Sequence, residues 1–147
     1  MKTAIVYYSQ HHGNTKKLLD AIARLGGVTL IDITVTDKVN LSAYDVIGFA
    51  SGIYYSKFDK RIMSFAQESL PESKKVFAVY TCGRQSDSYI APLKELVKEK
   101  KSEFLGVYSC LAYDTYGPFK LVGGLNKNRP DENDIQGAVD FYMRIIK

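Results

Sequence analysis

The run Thr3-Ala4-Ile5-Val6-Tyr7-Tyr8-Ser9-Gln10-His11-His12-Gly13-Asn14-Thr15, or TAIVYYSQHHGNT, decides how the rest of the chain is read. Residues 3–8 are almost wholly apolar, β-branched or aromatic, the pattern of a strand buried on both faces. Beyond the run, Leu18, Ile22 and Leu25 recur at i, i+4 and i+7, which is one face of a helix. Between the two lies a turn made of hydroxyls, an amide, two imidazoles and one glycine, with no lysine. A strand, a polar turn and a helix in that order form the first half of a βαβ unit.

The same alternation continues along the chain. Strand-like runs fall at 3–8, 28–33, 46–50, 76–80 and 104–109. The first helix has Asn14 or Thr15 as its expected N-cap and Gly26-Gly27 as its stop. Ile62, Phe65 and Ala66 mark a second helix ending before Pro71, and Ile90, Leu93, Leu96 and Val97 a third with Pro92 in its first turn. Ile135, Val139, Tyr142 and Ile146 mark a fourth, whose start follows Pro130 and is favoured by the acidic pair Asp131-Glu132. The link over 34–45 is short and weakly helical near 41–44. Five strands alternating with helices predict an open α/β fold, a three-layer, doubly wound sandwich around a five-stranded parallel sheet. No repeat or linker divides the chain, so residues 1–147 read as a single domain. One segment, 110–130 (CLAYDTYGPFKLVGGLNKNRP), is long and aromatic; it reads as a lid, against a plain surface excursion or a short helix near 119–122.

Composition narrows the functional classes. With 46% hydrophobic and 24% charged residues the 147-residue chain reads as globular. No apolar run is long enough for a membrane span, and the start lacks the apolar stretch of a secretory signal. The +4 charge comes from scattered lysines rather than a patch, which argues against nucleic acid as the partner. Two cysteines are too few for a disulfide scaffold, and a cytoplasmic location is expected.

In an open parallel sheet, ligands bind at the carboxyl ends of the strands where the strand order reverses. The turn 9–15 lies at such an end. A helix N-terminus there offers unpaired N–H groups and a partial positive charge, Ser9, Asn14 and Thr15 add side-chain donors, and Gly13 permits a tight reversal. A phosphate monoester can be held by such donors alone. A phosphate that is bound and never transferred needs neither lysine nor Mg²⁺, which accounts for the missing cation. The nucleotide loop G-x-x-x-x-G-K-[ST] and the dinucleotide pattern G-x-G-x-x-G are both absent. So are the clustered carboxylates of a phosphorylated receiver domain. At least one of His11 and His12 reads as a phosphate contact, against an exposed polar turn or chance metal binding; the cysteines lack zinc spacing.

Ser9 followed by Gly13-Asn14-Thr15 at the mouth of the first helix resembles the phosphate-binding loop of flavodoxins, small FMN-binding electron carriers. Gln10-His11-His12 stand where many members have a shorter threonine-rich segment. The resemblance implies the strand order 2-1-3-4-5, FMN as cofactor, and redox partner proteins, a reductase and an acceptor. It implies phosphate contacts from Ser9, Gln10, His11, His12, Gly13, Asn14 and Thr15. Two further loops, Ser51, Gly52, Ile53, Tyr54 and Tyr55, then Thr81, Cys82, Gly83 and Arg84, correspond to those that sandwich the isoalloxazine ring, with Tyr113 added from the long segment. Either Tyr54 or Tyr55 suits stacking on a flat ring, or coverage of the sheet edge. Many members carry acidic residues around the ring; here Lys57 and Arg84 stand in the ring loops, which implies a milder reductant. Two other readings stay open. The stretch 52–58 is also similar to that of flavodoxin-fold protoporphyrinogen dehydrogenases, which implies an oxidoreductase, and a flavin-free regulatory or binding module is the third. No catalytic residues and no metal ligands stand out. Cys82 and Cys110 fall near the ends of neighbouring strands, as a pair or as two packed thiols.

Overall fold

A computed structural model describes residues 1–8, 13–36, 39–54, 57–112 and 129–147, with the backbone alone at position 54. The strands are β1 (Thr3–Tyr8), β2 (Val28–Asp32), β3 (Val46–Tyr54), β4 (Lys57–Phe58), β5 (Lys75–Cys82) and β6 (Glu103–Leu111). The helices are α1 (Asn14–Ala23), α2 (Lys60–Ser69), α3 (Ala91–Glu99) and α4 (Glu132–Ile145). Single 3₁₀ turns occupy Leu41–Ala43 and Asp87–Ile90.

Five strands form one parallel sheet in the order β2-β1-β3-β5-β6. With the two-residue β4 set aside, this is the expected order 2-1-3-4-5. β4 folds back antiparallel on the end of β3, pairing Ile53 with Phe58 and Tyr54 with Lys57. Alternate residues of each strand serve opposite faces. Ala4, Val6, Phe49, Ala78 and Tyr80 pack beneath α2 and α3 with Ile62, Phe65, Leu93 and Val97. Ile5, Tyr7, Phe77 and Val79 pack beneath α1 and α4 with Leu18, Ile22, Phe141 and Tyr142. The layers are thus helix, sheet, helix. The central strands are buried on both sides, which is why their sequences run apolar without alternation.

Element boundaries differ from expectation in three informative ways. β3, β5 and β6 outrun the apolar runs that reveal them, so Ser51, Gly52, Ile53 and Tyr54 lie in β3, Thr81 and Cys82 in β5, and Cys110 in β6. The expectation places these residues in loops; parallel pairing instead continues through Gly52 and Thr81, and Ile53 and Tyr54 are held by the antiparallel β4. The N-cap of α1 is Gly13 in the left-handed region (φ 64°), and Asn14 and Thr15 are its first helical residues, both buried. The helix also ends at Ala23, before the glycine pair, its last turn closing through Arg24 N–H to the carbonyl of Asp20. Pro92 stands in the first turn of α3, as its fixed φ requires. Asp131 caps α4 through a reciprocal box with Asp134.

Candidate functional site

The carboxyl ends of β1, β3 and β5 converge on the side where the strand order reverses, the crevice that such sheets use for ligands. At β1 the chain leaves Tyr8 and re-enters the described residues at Gly13. As N-cap, Gly13 has no side chain to offer, and the first backbone bond of the helix is Lys17 N–H to its carbonyl, at 3.2 Å. A Cβ placed on Gly13 would meet no described atom within 4 Å, but its φ of 64° is one that side chains other than glycine rarely adopt. N–H groups of a first turn and a partial positive charge fit a phosphate group.

Thr15 turns inward and ties this helix to the next loop. Its Oγ1 lies 2.8 Å from Oγ1 of Thr81 at the end of β5, and the pair is buried. The two loops expected to share one ligand are therefore joined by a direct hydrogen bond. At the end of β3, Ser51 Oγ accepts from the N–H of Asp59 at 3.2 Å and donates to the carbonyl of Gly52 at 2.5 Å, fixing the reversal into α2. Asp59 caps α2 by accepting from the N–H of Arg61. Arg61 reaches back across the sheet end, its guanidinium 4.5 Å from the centroid of the Tyr8 ring. Such a contact is worth about 0.5–1 kcal/mol at an exposed site. It links the first turn of α2 to the last residue of β1, and no spacing in the sequence announces it.

The segment after β5 is held by side-chain hydroxyls and an amide. Tyr89 Oη donates to the carbonyl of Arg84 at 2.8 Å, Tyr80 Oη to that of Ser86 at 3.1 Å, and Gln85 Nε2 to both oxygens of Ser109 near 3.1 Å. The rings of Tyr80 and Tyr89 meet edge to face, 5.6 Å between centroids. Burial, with Cys82 and Tyr80 nearby, raises the Tyr89 hydroxyl above its ordinary pKa. The backbone of 84–86 is thereby fixed against β5 and β6.

Of the residues expected at the site, the fold brings Gly13, Asn14, Thr15, Ser51, Gly52, Ile53, Thr81, Cys82, Gly83 and Arg84 to this one edge, along with the backbone of Tyr54. Ser9, Gln10, His11, His12, Tyr55 and Tyr113 lie outside the described residues, as does the segment 113–128. Cys82 and Cys110 are both buried and not joined in a disulfide. Thr81 pairs with Cys110 and Cys82 with Leu111, so the two thiols point to opposite faces of the sheet. Cys82 Sγ instead donates to the backbone carbonyl of Cys110, 3.7 Å away. Among the described residues no group of three or more His, Cys, Asp or Glu side chains is placed to hold a metal ion, and no helix is long and apolar enough to cross a membrane.

A doubly wound parallel sheet with a helix N-terminus at its switch point is a fold class in which nucleotides and flavins are commonly bound. The comparisons narrow it. The sequence profile described as the flavodoxin domain matches residues 5–120. An uncharacterized protein of Methanocaldococcus jannaschii is 40% identical over 149 residues, covering 100% of this chain and 99% of that protein. Among solved structures, a flavodoxin from the domain Archaea superposes with a TM-score of 0.65 at 19% identity, covering 99% of both chains. A Fusobacterium nucleatum flavodoxin variant bound to flavin mononucleotide gives 0.68 at 14% identity, covering 99% of this chain and 96% of that one. The chain belongs to the flavodoxin domain family, and with it to flavodoxin-like redox proteins of the flavin-binding type.

Proposed function

We propose that the protein binds FMN at the carboxyl edge of β1, β3 and β5 and serves as a small electron carrier between a reductase and an acceptor protein. The observation that carries this reading is the buried hydrogen bond between Thr15 and Thr81, which ties the first turn of α1, N-capped by Gly13, to the end of β5. In this reading residues 9–15 hold the phosphate through N–H and hydroxyl donors, without a lysine. The ends of β3 and β5, from Ser51 to Tyr55 and from Thr81 to Arg84, flank the ring, and Tyr113 approaches from the long segment. Bound flavin supplies reversible one- and two-electron chemistry, while the protein positions it and tunes its charge.

Lys57 on β4 and Arg84 after β5 are both exposed on this edge. Cations beside the ring favour the anionic reduced flavin, so the carrier is a milder reductant than one ringed by carboxylates. The thiols Cys82 and Cys110, not joined in a disulfide, suit a reducing cytoplasm, and the chain acts as one domain. The test is a visible absorbance spectrum of the purified protein before and after addition of FMN and removal of the excess. A retained flavin spectrum is expected. A protein that stays colourless and refuses FMN overturns the reading.

A further inference from the structure

Residues 83–86 join β5 to the Asp87–Ile90 turn, and three different elements brace this short segment. From the turn, Tyr89 Oη donates to the carbonyl of Arg84 at 2.8 Å. From β5, Tyr80 Oη donates to the carbonyl of Ser86 at 3.1 Å. Gln85 Nε2 spans to β6 and donates to the carbonyl and Oγ of Ser109, at 3.2 and 3.1 Å. Arg84 and Gln85 are exposed, so water is available to satisfy the Arg84 carbonyl without any of this. What the side chains add is a fixed direction.

That direction follows from the peptide unit. Tyr89 is half-buried and packs against the apolar cluster beneath α2 and α3, its ring edge to face with Tyr80. In a trans peptide the N–H points opposite to the C=O. With the Arg84 carbonyl held toward Tyr89, the Gln85 N–H is aimed away from that cluster. The N–H groups of Arg84 and Gln85 make no hydrogen bond to a described residue. The segment therefore has the carbonyls of Arg84 and Ser86 tied down and two backbone donors unused.

Resting on the reading of this edge as the flavin site, we propose that Tyr89 is a positioning residue for the flavin ring. By holding the Arg84 carbonyl it presents the Gln85 N–H to a hydrogen-bond acceptor on the polar edge of the ring, and the Gln85–Ser109 bridge keeps the segment from swinging away. The donor is set before the ligand arrives, so binding does not carry the cost of ordering the segment.

The test uses the full chain, scored first by absorbance for FMN uptake. A wild type that refuses FMN overturns the flavin reading itself, and the proposal with it. Dissociation constants for FMN, and for riboflavin, which lacks the phosphate, are then measured by flavin fluorescence in the wild type, Tyr89→Phe and Tyr142→Phe. The Gln85 amide is followed by NMR of isotope-labelled protein. Tyr89→Phe keeps the ring against Tyr80 and deletes the hydroxyl alone. Tyr142→Phe removes a comparable bond, from Oη to Thr3 Oγ1 at 2.7 Å, at the opposite end of the sheet, and so reports general softening. The expected result is that Tyr89→Phe weakens FMN and riboflavin by the same factor of about three to ten, while Tyr142→Phe binds both as the wild type does. The Gln85 amide proton should move downfield on FMN addition in the wild type, and less so in Tyr89→Phe. Unaltered affinity in Tyr89→Phe, an equal loss in Tyr142→Phe, or a Gln85 amide that FMN leaves in place would each overturn the proposal with the flavin reading intact.

Discussion

At Gly48 in β3 there is no room for a side chain. A Cβ built there would overlap the Phe77 ring, which lies across β3 from the neighbouring strand and fills the α1–α4 side of the core. Gly48→Ala should therefore lower stability by about 1–3 kcal/mol through overpacking, measured by urea unfolding; a change within about 0.5 kcal/mol would mean that the ring moves aside freely. The glycine is plain in the sequence, yet its reason is not, because Phe77 comes 29 residues later and meets it only through strand pairing. Arg61 over Tyr8 is hidden in the same way. Lys57 and Arg84, by contrast, are legible as cations in the ring loops, and their effect can be measured in the FMN-loaded protein. Replacing both with Glu should lower the second reduction potential by up to about 60 mV for each well-placed charge, by spectroelectrochemical titration. An unchanged or raised potential would remove these side chains from the account of tuning.

Between elements, single hydroxyls hold the site together. Thr15→Val keeps the shape of the side chain and deletes its donor, leaving Thr81 Oγ1 without that partner in a buried position. We expect a stability loss of about 1–3 kcal/mol, with FMN affinity reduced as well, by denaturant titration and flavin fluorescence; loss of neither would show that the two loops hold their places independently. At the far edge, Tyr108 Oη donates to the carbonyl of Asp134 at 2.7 Å, and the ring lies against Gly137, where a Cβ would collide with it. The Gly137→Ala variant is thus expected to lose that hydrogen bond and to be destabilised, although alanine is the better helix former. The helices and strands were legible from apolar periodicity, the first strand to the residue. β4 was not, since two residues carry no period, and the N-cap of α1 was misplaced because propensity favours Asn14 or Thr15 where the backbone uses Gly13 in the left-handed region.

For the molecule as a whole, stability should fall at both ends of the pH scale for identifiable reasons. Burial opposes ionisation of Asp134, but the Arg129 guanidinium, bonded to both its oxygens at 2.5 and 2.6 Å, and the N–H of Asp131 outweigh this and hold its pKa below the ordinary value. A lowered carboxylate pKa contributes stability above the unfolded value of about 3.9 and loses it as pH drops through the folded one. Arg129→Gln should therefore move acid unfolding, followed by circular dichroism, to higher pH. In the alkaline range burial, assisted by nearby Asp134, pushes Cys110 up to about 12, and burial with Cys110 nearby takes Tyr108 to about 12. The unfolded groups ionise first, so the folded state keeps protons that the unfolded state has lost, and stability declines from about pH 8.5 upward. A Cys110→Val variant with an equally steep alkaline decline would show that this thiol has no part in it. The architecture was legible in outline because runs such as 76–80 are buried on both faces and cannot be amphipathic. The candidate site was read from the turn after β1, whose residues 9–12 lie outside the described residues; the ties through Thr81, Tyr89 and Arg61 depend on contacts between distant parts of the chain.

The register slip in the β5–β6 pairing, where Val76 faces Phe104 but Phe77 faces Gly106, has a consequence outside the protein. Leu105 is the extra residue, and Gly106 follows it at φ 148°, so the outer side of β6 presents an interrupted ladder of N–H and C=O groups. An extended segment from another molecule that aligned with one half would be out of step with the other. An irregularity of this kind disfavours uninterrupted strand addition along that side of β6.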